Sequence, residues 1–366
     1  MTFDEQPTDS PDSIIRNTNL CSDHVKNSEQ LSLKLDKWAI ENNIRSFTLK
    51  ELLTILREDP SDCTNNIPAD PRTLLKTPNK SYGTKLGSNL FHYFGIASTL
   101  NFLCITLNIN VTSSTEFSLA VNIDGLPLSK SSASSFWPIL CSVKSIKALK
   151  NKVFLVALYH GYEKPNPNDF LLDFVNECAK LTTNGILIKT VICKFKIEML
   201  ICDTPAKALV LSLKGHSGYF SCTKCNQEGD MINNVICFVE TENLIKRTND
   251  SFRNKLHPEH HIGETLFTNI PNFNIIDNVP LDYMHNLLLG GTKRLLCNRR
   301  YGWIFGKPPH KLRAKNINDI NNLLFKLRKY IPCEFSRNTR SIVECKRYKA
   351  TEFRLFLLYT DPIVLK

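Results

Sequence analysis

Apolar positions along the first third of the chain recur at helical spacing. Leu31, Leu35, Trp38 and Ala39 share one face, and Leu49, Leu52, Leu53 and Leu56 share another. Asn42-Asn43 between them is a turn signal, so a small helical pair is predicted over 31–58. Residues 1–30 are acidic and polar, show no period, and are predicted to be a disordered tail. A linker rich in Pro, Asp and Asn covers 59–85. The stretch 86–107 reads as a helix, with Phe91, Phe94, Ile96, Leu100 and Leu103 inward. Three runs then carry alternating or continuous β-branched and aromatic residues, predicting strands over 117–124, 136–143 and 153–159. Pro165-Asn166-Pro167-Asn168 opens a helix whose apolar face is Phe170, Leu171, Phe174, Val175 and Cys178, and Gly185 stops it. A long strand over 186–202 follows and ends in Asp203, and Pro205 opens a helix over 206–213. From 215 to 345 the pattern is mostly helical and loop, without internal repeats, and a helix over 347–358 turns Phe353, Phe356 and Leu357 inward.

Three strands, a helix, a strand and a helix predict a mixed α/β sheet with an antiparallel start and a parallel fourth strand. A chain of 366 residues with 42 % hydrophobic and 22 % charged residues can bury a sizeable core. No apolar run approaches the ~18 residues of a spanning helix, and the start of the chain lacks a secretory pattern. Membrane and secreted readings are therefore set aside. The thirteen cysteines are scattered, and Cys104, Cys141, Cys178, Cys193 and Cys202 lie in apolar segments, which points to reduced thiols. The formal charge is +11, yet residues 1–70 hold seven Lys and Arg against thirteen Asp and Glu. The remainder carries +17, a surplus that favours a polyanion such as DNA. Lys214, Lys224, Lys293, Arg294, Arg299 and Arg300 are candidate phosphate contacts, each with solvated surface as the plain alternative.

The predicted element order is the RNase H-like order, which makes the first and fourth strands sheet neighbours. Asp124 ends the first and Asp203 the fourth, so two acids distant in sequence are expected to converge. Glu352 on the last helix is the candidate third, with Glu344 and Glu334 as substitutes. Three carboxylates suit Mg²⁺ or Mn²⁺ and a two-metal phosphoryl-transfer site with ions about 4 Å apart. The plainer reading makes Asp124 a turn aspartate, Asp203 a helix cap and Glu352 a solvated side chain. A second signal is Cys222-Thr223-Lys224-Cys225, which has zinc-knuckle spacing. His285 is the best third ligand, and His257, His260 and His261 compete for the fourth place, His260 or His261 being preferred. Spectator cysteines are the alternative.

These stretches resemble the CACTA (En/Spm-like) group of eukaryotic transposases, and more closely an insect branch of transposase domain-containing proteins. The likeness rests on Asn122–Leu128 with Phe136–Leu140, Leu200–Ala206, Gly215–Cys225, Pro280–His285 with Leu289-Gly290, and Tyr348–Arg354. The resemblance implies a DDE/D catalytic core on an RNase H-like fold, running over 86–214 and closed by 346–366. It implies a mostly helical, zinc-holding insertion over 215–345, with Asp124, Asp203 and Glu352 as the acids. Cys222, Cys225 and His285 would then hold zinc, and Asp282 would orient His285 or hold its helix start. The implied function is DNA cleavage and strand transfer in the nucleus, on transposon ends and target DNA, with homo-oligomers compatible. A catalytically inactive, zinc- and DNA-binding derivative is the alternative, and a plain RNase H-like nuclease a third reading. The end of the chain fourteen residues past Glu352, and the lack of a recognisable amino-terminal zinc finger, suggest a shortened or decaying copy.

Overall fold

The computed structural model describes residues 30–58, 64, 67–78, 83–129 and 132–365. The expected tail over 1–30, apart from residue 30, and parts of the expected 59–85 linker lie outside the described residues. The chain divides into two units, 1–82 and 83–366. In the first, helix α1 (30–41) is followed by α2 (Ser46–Glu58) and a short α3 (Pro71–Leu74). Leu49 and Leu53, one turn apart on α2, are fully buried with Ala39, Ile67 and Leu74. Each such leucine contributes roughly 1.5–3 kcal/mol of burial. Asp70 caps α3 by accepting from the Arg72 N–H at 2.7 Å.

The second unit is built on a curved mixed sheet flanked by helices. A hairpin of β1 (Thr84–Leu86) and β2 (Asn89–Tyr93) precedes α4 (Ile96–Thr106). Strands β3 (Glu116–Ile123), β4 (Leu126–Pro127), β5 (Ser135–Val143) and β6 (Val153–Gly161) follow, then α5 (Pro167–Asn184). A second hairpin joins β7 (Ile186–Ile188) to β8 (Val191–Ile201), which runs into α6 (Thr204–Val210). The sheet order is β1-β2-β6-β5-β3-β8-β7, with β4 paired to β5. Among the described residues, only the β3–β8 pair of this sheet is parallel; the other neighbours are antiparallel. Central β3 is buried along almost its whole length, as a strand covered on both faces must be.

The signals that start and stop α5 operate as capping chemistry requires. Asn166 accepts from the N–H groups of Asn168 and Asp169, Pro167 sits in the first turn, and Gly185 ends the helix at φ 80°. Two expected elements differ. The helix expected over 86–107 begins only at Ile96, because Gly95 at φ 85° breaks the chain there and 89–93 pairs with β6 instead. The single long strand expected over 186–202 is a hairpin that turns at Lys189, which adopts φ 55°.

Residues 215–345 hold the small hairpin of β9 (Asp230–Ile232) and β10 (Val235–Cys237), the short α7 (Asn249–Arg253), and a helical region. That region starts with the wide helical segment Tyr283–Thr292, continues into α8 (Lys293–Cys297) and includes α9 (Ala314–Leu327). It continues past 345 through α10 (Ala350–Leu355) to α11 (Asp361–Val364), around its own core of Leu288, Leu296, Ile304, Leu324, Phe353 and Phe356. Among the described residues, no helix is long and apolar enough to cross a membrane.

Candidate functional site

The parallel pair fixes where the first two acids fall. A bulge at Glu198 on β8 shifts the register so that Asn122 faces Ile201. The Asn122 amide also donates to the Ile201 carbonyl at 3.0 Å. Asp124 and Asp203 each follow two residues later, at neighbouring strand ends. Gly125 lies so close to Trp137 that a Cβ there would come within 2.7 Å of the indole, which fixes the backbone beside Asp124. Asp203 caps α6 by accepting from the Ala206 N–H at 2.7 Å, and Asp124 accepts from the Gly125 N–H at 2.8 Å.

A third carboxylate at this corner is Asp282. It caps the Tyr283–Thr292 segment, accepting from the N–H groups of Met284 at 2.9 Å and His285 at 3.3 Å. It also bonds the His285 ring through Nδ1, so it holds the helix start and orients the imidazole together. His285 therefore belongs to the acid corner, close enough to Asp124 to influence it electrostatically. Lys207 is buried near this corner, only 4 % exposed, and its Nζ donates to the Pro280 carbonyl at 3.0 Å. Burial lowers its affinity for a proton, while Cys202, Asp282 and Asp203 act in the opposite sense.

Burial first, and then the Asp203 charge, push the Asp124 carboxyl above its ordinary value of 3.8. A raised folded-state value means that the ionised form costs stability above that value. The cost fades as pH falls through it toward the unfolded value. Asp124→Asn, which can still accept from Gly125, is expected to raise stability at pH 7 and to leave it nearly unchanged below pH 3.8. Urea unfolding of both proteins at the two pH values checks this.

Glu352 is placed differently from the expectation. It is 4 % exposed, and both its oxygens are taken. Arg340 donates to Oε1 at 2.6 Å and to Oε2 at 3.1 Å, and the Lys349 N–H adds a bond to Oε2 at 2.8 Å. Of the substitutes, Glu344 receives Arg340 at 3.3 Å and Glu334 is exposed.

The cysteine group is also rearranged. The Cys222 and Cys225 sulfurs stand 3.3 Å apart. Arg247 lies against them, donating from Nε to the Cys222 carbonyl at 3.0 Å, and its charge bears on both thiols. His260 is fully buried with Nδ1 on the Phe220 carbonyl at 2.6 Å, and burial pushes its pKa down to about 4. His261 packs edge-on to Phe252 at 4.7 Å, and His257 lies 3.9 Å from Glu259.

Among the described residues, no group of three or more His, Cys, Asp or Glu is placed to hold a metal ion. This corrects the expected Mg²⁺ or Mn²⁺ site at Asp124, Asp203 and Glu352. It equally corrects the zinc site at Cys222, Cys225 and His285 with His260 or His261, and the zinc-binding insertion over 215–345. Both forms of the strand-transfer reading fall with them, the DDE/D enzyme and its inactive zinc-holding derivative.

The charge count by region holds a signal that the count over 71–366 hides. Residues 283–366 carry eighteen Lys and Arg against five Asp and Glu, so 1–282 is close to neutral. Between 283 and 318 there are eight Lys and Arg and no Asp or Glu. Arg299, Arg300, Lys307, Lys311, Arg313 and Lys315 are all exposed. The loop bearing most of them is laced by backbone bonds: Gly302 to Asn298 at 3.0 Å, Lys307 to Arg300 at 2.9 Å and Leu312 to Trp303 at 2.8 Å. Ile304 anchors it in the helical core. Of the earlier phosphate candidates, Lys214, Arg294, Arg299 and Arg300 are exposed and Lys293 is half-buried. Lys224 is spent internally on the carbonyls of Ile276 and Val279.

No protein-family model matches the chain, and no curated protein matches it.

Proposed function

We propose that the protein binds nucleic acid, with duplex DNA as the preferred form, through the exposed basic face of its helical region. The observation that carries this reading is the acid-free stretch 283–318, with five of its eight cations on a compact, hydrogen-bonded loop and the others on the flanking helices. A rigid array loses less side-chain and backbone freedom on meeting phosphates than a mobile tail does. The order β6-β5-β3-β8, with β3 and β8 parallel, supports an RNase H-like scaffold, and we place kinship with the CACTA group at the level of that scaffold. A nuclear location belongs to the same proposal. The Asp124–Asp203–Asp282 corner has a structural task here: with Lys207 and His285 it ties the strand ends to the start of the basic region.

Fluorescence anisotropy of the full chain with a labelled duplex tests the reading. Four to six phosphate contacts predict that log K falls linearly with log salt, with a slope of about −4 to −5. A matching single strand is expected to give a shallower slope. Failure to bind either nucleic acid at 50 mM salt, or affinity indifferent to salt, overturns the proposal.

A further inference from the structure

Cys297 and Cys345 are separated by 48 positions, yet their sulfurs meet at 2.9 Å. Cys297 closes α8 and is half-buried, whereas Cys345, in the turn Ile342–Arg347, is fully buried in the helical core. Lys293 and Lys346 flank the pair, and the Lys346 ammonium is held 3.8 Å above the Phe305 ring. We propose that Cys297 and Cys345 form a peroxide-sensitive dithiol, in which Cys297 is the attacking sulfur and Cys345 the resolving one.

The asymmetry of the pair assigns these roles. Cys297 is half-buried where Cys345 is fully buried, and the hydrogen bond it shares with Cys345, aided by Lys293 and Lys346, holds it below the ordinary thiol range against the opposing effect of burial. The same bond, together with burial, keeps Cys345 protonated. A half-buried sulfur 2.9 Å from a sheltered second thiol is the arrangement that oxidises to a disulfide. The Cys297 thiolate attacks one oxygen of hydrogen peroxide, forming an S–O bond and breaking O–O. The departing hydroxide takes a proton and leaves as water. Cys345 then loses its proton and attacks the Cys297 sulfur, forming S–S and breaking S–O, so that a second water leaves. Two thiols and one peroxide thus become a disulfide and two waters. Cys222 and Cys225 are the natural comparison, and there burial pushes the Cys225 thiol upward.

The reduced full chain, treated with near-stoichiometric hydrogen peroxide, quenched with N-ethylmaleimide and digested with trypsin, gives the test. Peptides 295–299 and 341–346 are expected to appear linked and to separate again with dithiothreitol. Cys297 should be consumed about tenfold faster than Cys333, which is exposed and has no second sulfur beside it among the described residues, in the same molecule. In Cys345→Ser, Cys297 is expected to persist as a sulfenic acid that dimedone captures. Equal rates at Cys297 and Cys333, first loss at Cys222 or Cys225, or Cys297 loss without the linked peptides overturns the assignment. The wild-type comparison is internal to one molecule and needs no variant to fold. The proposal stands apart from the nucleic-acid reading.

Discussion

Replacing Arg299, Arg300, Lys307, Lys311, Arg313 and Lys315 together by serine is expected to weaken duplex binding about 10³-fold at 0.1 M salt. The slope of log K against log salt should flatten by about three in the same experiment. Both figures follow if half of the six touch phosphate, because each contact releases close to one counterion and is worth nearly tenfold at that salt. All six are exposed, and the bonds that shape their loop are made by backbone groups, so the variant should keep its fold. Its free energy of unfolding in urea is expected to match the parent to within about 0.5 kcal/mol. A control variant in which four exposed lysines elsewhere, Lys144, Lys147, Lys150 and Lys152, are changed to serine instead should leave the slope unchanged. Loss of affinity in that control, or an unaltered slope in the first variant, would remove the loop from the interface.

What the sequence made legible was position along elements. The alternation over 117–124 and 136–143 located β3 and β5, and the order of elements placed β3 beside β8 in parallel. That placement brought Asp124 and Asp203 to one corner, and a register of Asn122 on Ile201 is what it requires. Hidden from it was the identity of the groups that share space with each acid or thiol. Within both expected metal sites the chain sets cations of its own beside the acids and thiols. Lys207 acts through its charge on Asp203 and Asp282, Arg340 grips Glu352, and Arg247 stands beside Cys222 and Cys225. Spacing of donors cannot reveal this. Lys207 sits in a short apolar helix, Arg247 lies more than twenty residues from its cysteines, and Arg340 lies in an irregular segment with no period to link it to Glu352. The errors over 86–107 and 186–202 have a local origin. Gly95 and Lys189 take positive φ values inside otherwise continuous apolar runs, and only the tertiary pairing of 89–93 with β6 decides the first case.

Arg340→Ala is expected to destabilise the protein by about 3–5 kcal/mol, because it leaves the buried Glu352 carboxylate without its cation. Arg340 does more than pair with Glu352: it also donates to the Arg347 carbonyl at 3.0 Å and lies over the Tyr348 ring. Tyr348 in turn donates to the Arg340 carbonyl at 2.7 Å, so side chain and backbone close a loop around one residue. Removing the guanidinium therefore strands an acid in the core that Phe353 and Phe356 build, and hydrogen exchange should rise across 341–360 before it rises in the sheet. Glu352→Gln keeps an acceptor for the Lys349 N–H but halves the charge complementarity, and about 1.5–3 kcal/mol is the expected loss. Changing both residues, Arg340→Leu with Glu352→Leu, should recover most of the loss of Arg340→Ala, since no ion is then left in the core. A Glu352 poised to take part in chemistry would behave the other way. Its neutral variant would unfold at the same urea concentration as the parent, and the double change would bring back nothing.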